Sequence, residues 1–196
     1  MKLRSFFGGV ILLLFAFAAH AADDLRIYSG RFDNGWGDNW SWMPRYSTNS
    51  PVYTNNPVYT ASNSMALVPS GQWQAWWLKS GSSVDTTIYT SVSFWVNGGA
   101  TGGQSILVSG ELDGSGLPGI SVTAPTNTWK QITIPLTTLG LNNKSNLTGF
   151  QFGNGTSTQP FFIDDLQLIA APVPATVHVS IVASQTVRKV DGKVFG

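Results

Sequence analysis

The sequence predicts an all-β fold, a sandwich of two antiparallel sheets, on three observations. Between residues 22 and 170 the apolar residues recur in short alternating runs, and no stretch carries the stripe of an amphipathic helix. Clusters of Gly, Asn, Ser, Thr and Pro separate these runs at the spacing of turns. The runs themselves are rich in Val, Ile, Ser, Thr and aromatic residues, which suit a pleated, half-buried surface.

The chain opens with Lys2 and Arg4, an apolar run over 6–19, and the small-x-small site Ala19-His20-Ala21. That is the layout of a cleaved secretory signal, so residues 1–21 are set apart and the chain is expected to be exported, to the periplasm or beyond the cell. The run is too short, and too closely followed by Asp23 and Asp24, to read as a membrane span. Removing two of the eleven basic residues leaves nine against ten acids, a net charge of −1. Such a surface does not attract nucleic acid or anionic membrane. The chain has no cysteine, so it is held by packing, or by a metal.

The expected strands follow in order. They are 91–96, ending at Asn97-Gly98-Gly99; 105–110; 120–122, before Pro125; 129–134, stopped by Pro135; 150–152, before Gly153-Asn154-Gly155; and 161–168. The segment near Tyr28 to Asp33 should lie beside the last of these. PVYT at 51–54 recurs at 57–60, a period too brief for a repeat fold and read as a loop or hairpin edge. One domain is thus expected over 22–169. A Pro/Ala linker follows at 170–175, and a fresh strand over 176–196 reads as the start of a truncated downstream domain.

Catalytic groups are scarce. After the signal the only histidine is His178, beyond the linker, so no Ser-His-Asp or Cys-His system can form in the main domain. Its single glutamate, Glu111, has Asp113 two residues on. The two would share a strand face, so a glycosidase pair is one reading, and a sugar-contacting carboxylate is the simpler one. Asp164 and Asp165 interrupt an apolar strand. Unpaired buried charge is costly. A structural calcium ion, with partner ligands from 28–33, is one reason for the pair, and strand-end acids that face water or pair with Arg are the other.

The aromatic residues carry the positive signal. The chain has 8 tryptophans. Trp36, Trp40 and Trp42 fall in WGDNWSW at 36–42; Trp73, Trp76 and Trp77 fall in GQWQAWW at 71–77. Side chains alternate across a strand, so Trp76 and Trp77 cannot both face the core. Val92, Phe94 and Val96 read as core, which turns Trp95 outward with Ser93 and Asn97. An outward indole beside small polar groups is a stacking platform for the C–H face of a sugar ring. The expected carbohydrate-binding set is Trp95, Trp76, Trp73, Trp40, Trp42 and Trp36, rimmed by Gln74, Glu111 and Gln151. Gln72, Asn97 and Gln104 are further polar candidates, and Trp129 is read as structural. Asn39, Asn143, Asn146 and Asn154 lie in N-x-S/T sequons.

TWKQITIPL at 128–136, LTGFQFG at 147–153 and FFIDDLQL at 161–168 resemble the closing half of jelly-roll carbohydrate-binding modules. IYS at 27–29 and WGDNWSW at 36–42 resemble their opening. The resemblance spans about 25–169 and implies a jelly-roll sandwich, a β-glucan or plant cell-wall ligand, and a structural calcium near the Asp-Asp pair. Such modules commonly accompany bacterial polysaccharide hydrolases. The tail from Thr176 to VFG at 194–196 is similar to the lead-in of a glycosidase catalytic domain. The expected function is non-catalytic polysaccharide binding that targets an attached glycoside hydrolase. The alternatives are a jelly-roll hydrolase using Glu111 and a surface adhesion or assembly domain.

Overall fold

Sheet topology explains why the alternating runs persist through the whole domain: both sheets face the same core. The computed structural model describes residues 22–47, 57–60 and 63–172. The expected signal, the PVYT copy at 51–54 and the expected downstream domain lie outside them. Among the described residues there are twelve strands and no helix: β1 Leu25–Tyr28, β2 Trp36–Gly37, β3 Arg45–Ser47, β4 Met65–Leu67, β5 Ala75–Val84, β6 Tyr89–Asn97, β7 Ser105–Leu112, β8 Ser115–Gly116, β9 Ile120–Thr123, β10 Lys130–Pro135, β11 Leu147–Gly153 and β12 Phe161–Ala170.

Sheet I runs β10-β6-β12-β4-β3, with β1 also paired to β12. Sheet II runs β2-β5-β11-β7-β8, with β9 also on β7. All pairings are antiparallel. The chain switches sheets repeatedly, β5 to β6 to β7 and β10 to β11 to β12, so consecutive strands face one another across the core. The expected strands over 91–96, 105–110, 120–122, 129–134, 150–152 and 161–168 all form, each extended by one or more residues or shifted by one. As expected, β1 lies beside β12, with Leu25 opposite Leu168.

The core is built from inward alternate residues of both sheets. Val92, Phe94 and Val96 of β6 face Trp76 and Leu78 of β5, Ile106 and Val108 of β7, and Phe150 and Phe152 of β11, all buried. Phe94 meets Phe152 edge-on at 5.1 Å between centroids, and Trp76 tilts against Phe152 at 5.5 Å. Trp36 stacks on Phe150 at 5.9 Å. Trp76 and Trp36, expected as platforms, are therefore core rings. β5 alternates as expected, so only one of Trp76 and Trp77 is core: Trp76 goes in with Leu78 and Trp77 goes out with Lys79.

β12 is bent by a bulge where Asp164 and Asp165 fall, and Asp165 takes a positive φ of 45°. The strand runs on through Ala170, and the Ala171 N–H donates to the Ile88 carbonyl at 2.8 Å. The first two residues of the expected linker therefore belong to the sandwich.

Trp76→Ala should remove about 3–5 kcal/mol of stability, since it opens a cavity between the sheets. Trp40→Ala, on the surface, should change it by less than about 0.5 kcal/mol. Urea unfolding midpoints of the two variants against wild type measure the difference.

Candidate functional site

The outer face of sheet II is assembled from three rows that cross the strands. Register places Trp77 of β5, Gln151 of β11 and Ser109 of β7 side by side. A second row holds Ala75, Gly153 and Leu107, extended by Ser121 of β9. A third holds Lys79, Gly149 and Glu111. The second row floors a cleft of about 550 Å³ whose walls include Trp42, Trp73 and Gln151. Its floor carries no side chain at Gly153 and only a methyl at Ala75, so a flat ring can come down to the backbone.

The ring-bearing loops are fixed along β5. Ser41 acts as a substitute strand: its Oγ donates to the Trp77 carbonyl at 3.1 Å and accepts the Trp77 N–H at 2.8 Å. The Met43 N–H donates to the Ala75 carbonyl at 3.2 Å. Asp38 closes the loop behind them. It binds the Arg45 guanidinium and accepts the buried Trp76 indole N–H at 3.0 Å. Trp40 and Trp42 are thereby held out beside Trp77, with ring centroids 6.5 and 5.7 Å from it. Trp40 is 65% exposed, and the Trp42 indole N–H donates to the Trp73 carbonyl at 3.1 Å.

Trp73 stands at the cleft mouth, 69% exposed, on backbone with a φ of 59°. Buried Asn154 holds it there. The Asn154 amide donates to the Gly71 and Ser157 carbonyls and accepts the Gln74 N–H at 2.7 Å. Gln74 lines the cleft, but its side chain is turned to Ser70, accepting that residue's N–H at 2.8 Å. The half-buried Gln151 amide has no hydrogen-bond partner among the described residues. Gln151 lines the cleft, so this amide is available to a ligand hydroxyl as donor and acceptor.

Besides Trp76 and Trp36, two more expected site residues are placed differently. Trp95 does point outward, but from sheet I, on the opposite side of the sandwich, and Tyr59 stacks on it at 3.8 Å. Trp129, half-buried, lies 6.0 Å from Tyr59 in the same cluster. Tyr59 is distant in sequence, so strand alternation alone could not reveal that the Trp95 platform is covered. Glu111 faces the same side as Trp77 yet is fully buried beneath its neighbours, so it is not an exposed rim group. A carboxylate with no accessible surface cannot reach a glycosidic oxygen. Asp113, its proposed catalytic mate, sits in the following turn and accepts the Asn146 amide at 2.6 Å. Asn97 and Gln104 are also buried, bonded to nearby loop backbone. Of the pair Trp76 and Trp77, both candidates as platforms, Trp77 is the outward ring. Its signal was Lys79 two positions on, which marks the wet face of β5.

The Asp164 carboxylate accepts the Tyr59 N–H at 3.2 Å and the Asp165 N–H at 2.9 Å. Asp165 accepts the Ser29 hydroxyl at 2.6 Å and the Thr60 hydroxyl. Burial pushes the Asp164 carboxyl above its usual range, the charge of Asp165 adds to the rise, and the backbone N–H donors oppose it. Calcium needs carboxylate lone pairs turned toward one centre. Here they face N–H and O–H donors, with the Ser29 and Thr60 hydroxyls as further oxygen atoms beside the two carboxylates. Among the described residues no group of three or more His, Cys, Asp or Glu gathers as a metal site. These two carboxylates instead tie the 57–60 segment and β1 to the bulge of β12.

No family model and no curated protein matches the sequence. Solved structures do match the fold. The family 11 carbohydrate-binding module of the cellulosomal cellulase Lic26A-Cel5E of Clostridium thermocellum superposes with a TM-score of 0.54 at 14% identity, over 78% of this chain and 97% of that one. The same family's module has been solved with a β-1,3-1,4-mixed-linked tetrasaccharide. The family 30 module of the Clostridium thermocellum cellulase Cel9D-Cel44B gives 0.56 at 16% identity, over 75% and 97% of the two chains. A family 29 carbohydrate-binding module gives 0.51 at 16%, over 76% and 89%. The chain shares their jelly-roll fold.

The donor pattern at Asp164 and Asp165 predicts that melting temperatures in excess calcium and in EDTA agree within about 2 °C. A rise of several degrees with calcium would show instead that the carboxylates turn to hold the ion.

Proposed function

We infer that this chain is a non-catalytic polysaccharide-binding module that takes a glycan of the β-glucan or plant cell-wall type across the outer face of sheet II. The observation that carries this reading is the cleft itself. Two exposed indoles, Trp42 and Trp73, wall a floor that drops to the backbone at Gly153, with the unpartnered Gln151 amide beside them, and exposed Trp40 stands next to Trp77 on the same face. Indole faces pack on sugar C–H surfaces, and a free amide pairs with a hydroxyl in both directions. Trp42 and Trp73 are pinned before any ligand arrives, so little ordering cost falls on binding. The shared fold with modules that bind carbohydrate supports the same class, although fold alone does not set a ligand.

Export and attachment to a glycoside hydrolase complete the reading. Binding would hold such an enzyme at high effective concentration on its polymer. A catalytic role for Glu111 is disfavoured by its complete burial. An assembly surface is disfavoured because Trp42 and Trp73 border a cleft and not a flat patch.

Affinity electrophoresis of the signal-free chain through gels of β-glucan, xylan or mannan tests the reading. One polymer should retard the wild type. Trp42→Ala should cost about 2 kcal/mol, roughly thirtyfold in Kd, while Trp95→Ala on the opposite sheet should leave retardation unchanged. Absence of retardation by every polymer, or equal loss in both variants, would overturn the assignment to this face.

A further inference from the structure

The third row of sheet II does not line the cleft, and its chemistry is unlike a sugar contact. Glu111 has no exposed surface, yet both its carboxylate oxygens have partners, and two of these partners, Trp77 and Lys79, belong to or touch the aromatic wall. One carboxylate oxygen faces the Lys79 ammonium at 2.9 Å and accepts the Thr148 hydroxyl at 2.9 Å. The other accepts the Trp77 indole N–H at 2.7 Å. The Lys79 ammonium in turn lies 4.3 Å from the centre of the Trp77 ring and 5.5 Å from that of Trp40. Trp77 meets Trp42 edge-on. One buried carboxylate is thus linked, through a lysine and an indole, to both exposed rings of the 36–42 loop.

The pair spans two strand spacings, from β5 to β7, and can do so only because β11 carries a glycine between them. A Cβ at Gly149 would fall 2.6 Å from the Leu78 carbonyl oxygen and 3.4 Å from the Glu111 carboxyl carbon. A buried ion pair of this kind is a weak source of stability, because desolvation offsets most of the attraction and an apolar pair often packs as well. What it does supply is direction: the hydrogen bond fixes the tilt of Trp77, and the ammonium draws Trp77 and Trp40 toward one point.

We propose that Glu111, acting through Lys79 and Trp77, is a positioning residue that sets the orientation of the Trp40 and Trp42 wall before ligand binds. The proposal rests on the polysaccharide-binding reading for its effect on affinity, but not for its effect on the rings.

The test uses the double substitution Glu111→Gln/Lys79→Met, which removes both charges at nearly constant volume and strands neither. It is made in the wild-type and Trp42→Ala backgrounds, and each protein is followed by near-ultraviolet circular dichroism and by polymer affinity. Neutralising the pair should diminish the tryptophan dichroism without ligand and weaken binding about tenfold, yet weaken the Trp42→Ala protein by less than about twofold, as groups acting through one another are non-additive. Unchanged dichroism would overturn the proposal, as would unchanged affinity or an equal loss in both backgrounds. So would loss of the fold, which would make Glu111 a folding residue. If the wild type binds no polymer, the functional reading fails and the dichroism still decides the positioning role.

Discussion

Two adjacent indoles on β5 organise this molecule. Because a strand sends neighbours to opposite faces, Trp76 must enter the core and Trp77 must leave it. Each N–H then finds a carboxylate on its own side, Asp38 for Trp76 and Glu111 for Trp77. Asp38 is also the clamp of the 36–42 loop, through Arg45. The same short stretch of backbone therefore sets the depth of the core, the position of the loop and the attitude of the outer rings.

Much of the architecture could be read from the sequence because it is local. The phase of β6 was legible in Val92, Phe94 and Val96, a run whose other face is Ser, Trp and Asn. The strand ends were legible where Pro135 and Gly153 stop them. The phase of β5 was not, since both faces begin with tryptophan and only the Leu78–Lys79 step distinguishes them. Trp36 was misplaced for a related reason: its two-residue strand is too short to show alternation, and its burial depends on Phe150, more than a hundred residues away. The cover on Trp95 and the burial of Glu111 likewise arise from partners that only the folded chain brings near.

The comparison with other jelly rolls shows what such a scaffold fixes and what it leaves open. At 16% identity or less the sandwich persists, since it needs only alternating apolar residues of suitable volume. Ligand choice depends on loops and on outward residues of one sheet, which that pattern does not constrain. Here the variable elements are a tryptophan loop clipped to an edge by Ser41 and a second loop pinned by Asn154. Their rigidity comes from side-chain-to-backbone bonds.

The burial of Asn154 has a consequence for making the protein. It lies in an N-G-T sequon, and its amide nitrogen, the atom that would carry a glycan, is committed to the Gly71 and Ser157 carbonyls. In a eukaryotic secretory host, oligosaccharide is added to the emerging chain before such bonds exist. A chain modified there could not close the loops around Trp73 and would be retained as misfolded. Exposed Asn39 and Asn143 carry no such conflict, whereas the Asn146 amide is also engaged, donating to the Asp113 carboxylate at 2.6 Å. The buried Asn154 sequon thus brings the biosynthetic compartment, and not only the finished surface, to bear on whether the loops around Trp73 can close.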